Sequence, residues 1–455
     1  MSTPAGDVVR DAGVLERYHL LLTQLGFDSC VAISGEYTSA EGHNLTKETL
    51  YPALHAMIQQ HGALGVQVRP GKTLKAAPHF VRLREIDLDT AVEFREDKTA
   101  SADRLLRAEL ERPFELGTTA PLWRATVLNG CMVVFAFHHC IGDGQSGPAL
   151  HAALWTALNS TQPMEGFSST VAVPQDASPV GPTEAYTKIS VSAGGFAHMA
   201  HALFTPKKTQ PYFHAWTGNA VPTVPSLDIT VHCWSIPPSQ TSALLRLCRE
   251  HNTTLTAFLC ALMTGVLARL LAERKLTPKV KAIAVEVPVS LRRFTGVSPL
   301  ALCDQVSHAH LFCRLAPFPH EGPFPWDVAR KAGEDLHKQV PKTREILGML
   351  RILLRTGSAE AYYRDKLGKK RESGMVLSNL GRFPVAAEEG AEWRLEQVYF
   401  AQSDVVQGSA MKVNVVGSPE GSTNVTFAWG KGAVEESLAE AFVAEMKAAL
   451  DIVLG

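Results

Sequence analysis

The chain has 455 residues, a formal charge of −1 at pH 7 and an ordinary composition, 45% hydrophobic and 20% charged. At this length a single hydrophobic core is rarely sufficient, so we expect two domains. The near-neutral charge excludes the strongly basic surface that binds nucleic acid, and we expect no nucleic-acid partner.

Cysteine usage and the N-terminus indicate an intracellular protein. Eight cysteines are scattered without a C-x-x-C pair, which disfavours a structural zinc site and a redox motif. The N-terminal sequence MSTPAGDVVRDAG lacks the apolar segment of a secretion signal. We therefore expect a cytoplasmic protein with reduced thiols. We also expect a monomer. Peripheral association with a membrane or lipid droplet stays open.

Apolar residues in the first half recur with the spacing of alternating helices and strands. LERYHLLLTQLG places Leu15, Tyr18, Leu22 and Leu25 on one helical face, and Gly26 suits the end of that helix. Further predicted elements are the strand SCVAISGEY, helices over 47–60 and 101–111, two strands in PLWRATVLNGCMVVFAFHH that meet at an Asn-Gly turn, and the helix GPALHAALWTALN.

Residues 160–228 are rich in Pro, Ser, Thr and Gly, which predicts a crossover linker. Predicted elements after it are the strand ITVHCWSI, a helix over 255–272, the strands AIAVEVPVSLRRF and HAHLFCRL, a helix over 326–339, strands in MVLSNLGRFP, MKVNVVGS and NVTFAWGKG, and the helix EESLAEAFVAEMKAALDIVL. The pattern predicts an α+β fold with one domain over 1–165, the linker over 166–227 and a second domain over 228–455.

One apolar stretch, Leu255 to Ala272, is long enough to span a membrane. Arg269 interrupts it and Thr254 precedes it as a good N-cap. We therefore predict a helix buried inside a domain and no transmembrane segment.

The segment CMVVFAFHHCIGDGQSG, residues 131–147, ends an apolar strand with two histidines and then turns sharply. Successive side chains of a strand point to opposite faces, so one of His138 and His139 faces a cleft while the other packs behind the sheet. Because the two imidazoles diverge, a metal site built from them and Asp143 is disfavoured, and we predict no metal site.

His139, Asp143 and Gly144 fall in one tight turn between this strand and the next helix. Loops carried by rigid elements are where catalytic groups concentrate. A histidine, with an ordinary pKa of about 6.5, is the natural general base at cellular pH, and Gly144 leaves room for a substrate. The alternative is a histidine that only satisfies backbone groups at a strand end.

The pattern H-H-x-x-x-D-G, here His138 to Gly144, resembles the signature of the acyl-CoA-dependent acyltransferases with a chloramphenicol-acetyltransferase-like fold. That superfamily includes the plant BAHD enzymes, carrier-dependent condensation domains and fungal alcohol O-acetyltransferases. The segments ERYHLLLTQLGFDSCVAIS, PVSLRRF, VLSNLGRFP and GSAMKVNVVGSPEGSTNVTFAWGKG are similar to the fungal alcohol acetyltransferase branch and occur in its order. The resemblance therefore covers most of the chain.

The resemblance implies two chloramphenicol-acetyltransferase-like domains in a pseudo-dimer with a channel between them. It implies an O-acyltransferase that moves an acyl group, most simply acetyl, from acyl-CoA to the hydroxyl of a small alcohol or secondary metabolite. Acyl-CoA is then a co-substrate, and no prosthetic cofactor is expected. His139 would deprotonate the acceptor hydroxyl for direct attack on the thioester, without an acyl-enzyme.

The resemblance also suggests roles for neighbouring residues. Asp143 belongs to the catalytic motif with His139, yet it is expected to turn away and pair with Arg292 of the second domain, or with Arg293. His138 and Gly144 would support the site. The weaker candidates are Ser378 and Asn379 as oxyanion donors, since the D-F-G-W-G loop of plant relatives is missing here, and Lys279, Lys281, Lys369 and Lys370 as ligands of the CoA phosphates.

Two other functions stay open at this point. One is ester or amide formation from a carrier-bound acyl group, as in condensation domains. The other is a non-catalytic binding module of the same fold, and the intact His139, Asp143 and Gly144 count against it.

Overall fold

The computed structural model describes residues 6–27, 30–71, 77–197, 211–276, 280–315, 323–386, 390–403 and 406–455. The strands are β1 (Val8–Asp11), β2 (Val31–Ser39), β3 (Val66–Arg69), β4 (His79–Arg82), β5 (Glu85–Asp87), β6 (Val92–Arg95), β7 (Trp123–Leu128), β8 (Met132–Phe137), β9 (Thr170–Ala172), β10 (Ala215–Trp216), β11 (Ile229–Ile236), β12 (Ala282–Ser290), β13 (Val306–Arg314), β14 (Met375–Asn379), β15 (Trp393–Gln402), β16 (Met411–Gly417) and β17 (Thr423–Gly430).

The helices are α1 (Val14–Gln24), α2 (Lys47–Gln60), α3 (Leu88–Ala91), α4 (Ala102–Leu110), α5 (Ser146–Ser160), α6 (Thr183–Tyr186), α7 (Pro238–Glu250), α8 (Leu255–Glu273), α9 (Arg292–Thr295), α10 (Trp326–Gln339), α11 (Thr343–Thr356), α12 (Ala359–Arg364) and α13 (Glu436–Leu454). Within the described residues, short 3₁₀ helices cover Gly62–Gly65, Pro211–His214 and Val340–Lys342.

Local sequence signals account for the elements that precede the H-H-x-x-x-D-G turn. Gly26, with φ of 72°, follows α1 as predicted. Asn129 and Gly130 have φ of 51° and 63°, the left-handed pair that a tight turn between β7 and β8 requires. The predicted hairpin is therefore confirmed, and it delivers the two histidines to the end of β8.

Two large sheets organise the molecule, and one of them draws on both halves of the sequence. The five-stranded sheet has the order β15-β2-β8-β7-β6. The seven-stranded sheet has the order β10-β12-β14-β16-β17-β11, with β13 paired to β12. β15 lies late in the chain but pairs antiparallel with β2, with Phe400 opposite Ile33.

The domain boundaries predicted from composition therefore do not separate the two sheets. Alternate residues of β15, among them Trp393, Leu395, Val398 and Phe400, are buried in the same apolar cluster as β2 and β8. The predicted linker also contains strands: β9 pairs with β5 in a separate two-stranded sheet, and β10 pairs with β12 at the edge of the seven-stranded sheet.

The predicted buried helix is α8. Thr254 caps it, since its hydroxyl accepts the backbone N–H of Ala257 at 3.2 Å. In the described part of the chain it is the one helix long and apolar enough to cross a membrane by length and composition, and most of it is buried within the fold.

Candidate active site

A cavity of about 600 Å³ is lined by residues from both halves of the chain. The first half contributes α1 and the turn that follows β8. The second half contributes β12, β13, β14, α11 and α12. Side chains of α1 on its wall include Leu15, Tyr18, His19 and Leu22, three of which are the apolar face predicted for this helix.

The two adjacent histidines point to different environments. His138 is fully buried, its Nδ1 accepts the backbone N–H of Cys140 at 3.0 Å, and its Nε2 lies 2.9 Å from Thr23 Oγ1. Because Nδ1 is an acceptor, the neutral ring carries its proton on Nε2 and donates it to Thr23. His139 instead lines the cavity. The expected division, with one imidazole behind the sheet and one in a cleft, is present.

His139 lies against a second histidine and a buried carboxylate. The rings of His19 and His139 stack, with centroids 3.7 Å apart and planes 7° from parallel. Asp304 Oδ1 lies 3.8 Å from His139 Nδ1, and Asp304 Oδ2 lies 3.6 Å from His19 Nε2. The Nδ1 edge of His139 thus faces a carboxylate, which leaves Nε2 as the nitrogen suited to accept a substrate proton.

The same three residues bring nitrogen and oxygen donors close together, but the ring geometry disfavours a shared metal ion. A metal–imidazole bond lies close to the ring plane, along the nitrogen lone pair. Since the His19 and His139 planes are parallel and stacked, one ion cannot lie in both planes.

The Asp143 carboxylate is held in a buried network of hydrogen bonds, although the residue also contributes to the cavity wall. Its Oδ2 accepts from Arg292 Nη1 at 2.5 Å and from the backbone N–H of Gln305 at 3.1 Å, while its Oδ1 accepts from the Ser146 backbone at 3.2 Å. Arg292 Nη2 donates to the carbonyls of Ala301 and Cys303 at 3.0 and 3.2 Å. The expected ion pair is present.

The pKa of Arg292 and the positions of the adjacent residues agree with the pairing of Asp143 and Arg292. Burial alone would lower the pKa of Arg292, but the charge of Asp143 and its hydrogen bond raise it above its ordinary value. The fallback partner, Arg293, is exposed. Gly144 brings the turn close to the second half, because a Cβ there would lie 2.9 Å from Leu380 Cδ2.

Both oxyanion candidates lie on the cavity wall at the end of β14. The Asn379 side chain is already engaged, since Nδ2 donates to Thr256 Oγ1 at 3.1 Å and Oδ1 accepts the backbone N–H of Gly381 at 2.9 Å. Ser378 is buried, and its hydroxyl forms no hydrogen bond with any residue in the described ranges. Ser378 is thus the better placed of the two.

Of the four lysines suggested for CoA binding, the three that the structure describes do not line the cavity. Lys279 lies outside the described residues. Lys281 is exposed and off the cavity wall. Lys369 Nζ pairs with Asp365 at 2.6 Å, and the Lys370 ammonium donates to the carbonyl of Ala215 at 2.5 Å. Neither side chain lines the cavity. This geometry does not support their assignment to the CoA phosphates.

The lysine that does line the cavity is Lys366, whose Nζ lies 2.7 Å from Glu372 Oε1. Burial opposes charge on Lys366, but the Glu372 carboxylate outweighs it and raises the pKa of Lys366 above its ordinary value. Its positive charge is therefore balanced inside the protein.

Comparison with known proteins shows the family of the chain. A family model described as alcohol acetyltransferase matches residues 11–450. This chain belongs to the alcohol acetyltransferase family. It is 26% identical to a probable alcohol acetyltransferase of Aspergillus fumigatus over 93% of this chain and 95% of that protein. It is 28% identical to a probable alcohol acetyltransferase of Fusarium pseudograminearum over 80% and 78%.

Solved structures place the acetyltransferase in the chloramphenicol-acetyltransferase-like fold. The trichothecene 15-O-acetyltransferase of Fusarium sporotrichioides superposes with a TM-score of 0.67 over 98% of this chain and 94% of that chain, at 11% identity. At that identity the likeness is one of fold. The predicted family, the predicted fold class and the prediction of an acyltransferase are confirmed.

The sequence motif did not indicate every group at the candidate site. His19 lies four residues after Leu15 and three before Leu22, on the predicted apolar face of α1, and a histidine at that spacing is the sequence signal that could have indicated it. Asp304 lies in an irregular segment before β13. Only the folded chain brings these two residues to His139.

Proposed function

We propose that this enzyme transfers an acetyl group from acetyl-CoA to the hydroxyl of a small-molecule alcohol, with His139 as the general base. The position of His139 is the observation that carries the proposal. It lies on the wall of a cavity shared by both halves, with its Nδ1 edge toward the Asp304 carboxylate.

The reaction is a direct transfer. The acceptor oxygen attacks the thioester carbonyl carbon while His139 Nε2 takes the hydroxyl proton. The tetrahedral intermediate then expels the CoA sulfur, which receives that proton from the imidazolium, and the products are an acetyl ester and CoA thiol. Asp304 stabilises the imidazolium that forms in between. A positioned base of this kind contributes about 10²–10⁴-fold to the rate.

The developing oxyanion needs a donor, and we assign it to the Ser378 hydroxyl. Ser378 shares the cavity wall with His139, and its side chain is not committed to another described group. Loss of a single oxyanion donor costs about 10²–10³-fold in kcat in other acyl-transfer enzymes, so this role is measurable in Ser378→Ala.

A CoA-release assay tests the base. Purified enzyme is given acetyl-CoA and a panel of primary alcohols, and the free thiol is followed with a thiol reagent. We expect His139→Ala to lower kcat by about 10²–10⁴-fold with an unchanged melting temperature. His43→Ala, an exposed histidine outside the cavity, is the matched control. Wild-type turnover in His139→Ala would show that the base is another group. Turnover only with a carrier-bound acyl thioester would show that the acyl donor is a carrier-bound group and not free acetyl-CoA.

The role of Asp304 is tested by Asp304→Asn, which keeps the size of the side chain and removes its charge. A carboxylate beside an imidazole favours the protonated ring, so its loss lowers the pKa of that imidazole. We expect kcat to fall and the rising limb of the pH–rate profile to move to lower pH. A fall in kcat with an unmoved profile would show that Asp304 acts on structure and not on the base.

A further inference from the structure

A second cluster of polar groups lines the same cavity, on the face formed by β12 and β13. His308 and His310 alternate along β13, so both side chains point to one face of the sheet. Glu286 stands directly opposite His310 in the antiparallel pairing. All three residues line the cavity and are half-buried. The proposed acyl transfer uses none of them.

The donor atoms of this cluster converge. One nitrogen from each histidine and one Glu286 oxygen lie within 4.8 Å of one another, and His308 Nδ1 is 3.9 Å from Glu286 Oε1. The imidazole planes of His308 and His310 are 83° apart with centroids at 4.7 Å, so their in-plane lone pairs can meet at one point. This is the opposite of the parallel stack of His19 and His139.

Rigid strands hold the cluster in place. His310 is fixed through its backbone, because the Gln339 side chain donates to its carbonyl at 2.7 Å and accepts from its N–H at 3.1 Å. Donors around a tetrahedral ion with bonds of about 2.1 Å lie about 3.4 Å apart. His308 Nδ1 and Glu286 Oε1, at 3.9 Å, are within half an ångström of that spacing, and all three donors lie within 4.8 Å of one another, so rotation of the side chains would have to close the remaining distance.

The charges around the cluster suit a cation. The Lys366 ammonium on the cavity wall is paired with Glu372 at 2.7 Å, and the Glu286 carboxylate supplies a negative charge beside His308. A neutral imidazole is the form that binds metal.

We propose that Glu286, His308 and His310 form a binding site for a divalent transition-metal ion of the Zn²⁺ class, with its remaining position open to the cavity. Two imidazoles and a carboxylate are a donor set that Zn²⁺ accepts with a fourth, exchangeable ligand. Because the site opens into the cavity, that ligand is water or an oxygen of a bound small molecule.

The test measures binding and needs no turnover, so its outcome is independent of the proposed acyl transfer. The enzyme is stripped with a chelator, dialysed, and titrated with Zn²⁺ by calorimetry and with Co²⁺ by visible absorption. We expect one equivalent to bind, a tetrahedral Co²⁺ spectrum, and a Zn²⁺-dependent rise in melting temperature. His308→Ala and Glu286→Gln should each weaken binding by about tenfold or more.

Two variants serve as controls. His43→Ala removes a ligand from the exposed group Glu41, His43 and Glu392, and His139→Ala removes one from the stacked group. Both should bind Zn²⁺ as the wild type does. No binding by the wild type overturns the proposal, as does equal binding in the wild type and in Glu286→Gln. If Zn²⁺ binding is lost in His43→Ala or in His139→Ala but kept in His308→Ala and Glu286→Gln, the ion binds at one of the other two groups and the proposal is overturned.

Discussion

Asp143 accepts four hydrogen bonds, one from Arg292, one from the backbone of Gln305 and two from Ser146. Each oxygen is therefore committed, and the carboxylate cannot also exchange a proton with substrate. The pair links the turn that carries His139 to the start of α9 in the other half of the chain. These contacts therefore support a positioning role for Asp143 beside the proposed base His139, although the motif presents the two residues together.

Removing one partner of this buried pair should be costly. Arg292→Met leaves Asp143 charged and buried, so we expect a loss of about 3 kcal/mol in the free energy of unfolding, measured with denaturant, and a lower kcat. The neighbouring Arg293 is exposed, and Arg293→Met should change the free energy by less than about 0.5 kcal/mol. Equal effects of the two substitutions would show that the pair does not brace the turn.

His151 gives the fold a specific sensitivity to acid. It is fully buried in α5, with Nδ1 2.9 Å from the Tyr37 hydroxyl and Nε2 3.3 Å from the Ile33 carbonyl. Burial lowers the pKa of His151 from 6.5 to about 4, against a smaller opposing effect of the Ile33 carbonyl. The folded state therefore binds fewer protons than the unfolded state between these two values.

Stability should consequently fall as the pH drops from 6.5 towards 4. The full effect of His151 is about 3 kcal/mol, because one pKa unit corresponds to about 1.4 kcal/mol. We expect His151→Gln to flatten the dependence of unfolding free energy on pH in this window, measured by denaturant titration at several pH values. The exposed His43→Gln should leave the curve unchanged. A wild-type curve that is flat over the window would contradict the assignment.

At the scale of elements, α11 forms an apolar wall of the cavity. Leu347, Leu350 and Leu353 line it, whereas Ile352 on the same helix is 41% exposed and does not. One face of α11 thus forms this part of the cavity wall, and Ile352 on the opposite face provides a control position for substitutions.

Leu350→Trp should narrow the cavity and make the enzyme select by acceptor size. We expect kcat/KM for hexanol to fall about tenfold or more relative to that for ethanol, since crowding by a few methylene groups is worth that much discrimination. Ile352→Trp adds the same side chain outside the cavity and should leave the ratio unchanged. The same ratio in Leu350→Trp and the wild type would mean that acceptors do not occupy this part of the cavity.

Most elements and the central motif could be predicted from the sequence, because their signals are local. Strand alternation separates His138 from His139, and an Asn-Gly turn fixes the hairpin that delivers them. α11 and β15 escaped prediction although TREILGMLRILLRT and WRLEQVYFAQ carry helical and alternating patterns. The groups around His139 could not be predicted, because His19 and Asp304 meet it only through long-range packing.

At the scale of the whole molecule, β15 ties the two halves together. The strand enters the first half's sheet beside β2 and buries apolar side chains in that core, and it then continues into β16 of the other sheet. No cut in the linker can therefore give a first half with a complete sheet. The consequence is that cavity and core form together, so the halves should not fold independently.

Expression of the two halves as separate fragments tests this dependence. Fragment 1–165 lacks β15, which leaves the backbone edge of β2 unpaired and its apolar face uncovered, so we expect it to aggregate when expressed alone. Co-expression with fragment 166–455 should give a soluble complex on size-exclusion chromatography with one cooperative thermal transition. A partner fragment carrying Phe400→Asp should fail to keep fragment 1–165 soluble, because it places a charge in the shared core. The control is Arg394→Asp, at an exposed position of β15, which should keep fragment 1–165 soluble as the unchanged partner does. If fragment 1–165 alone is a monomer with a sharp melting transition, the first half is an independent domain and β15 is dispensable to it.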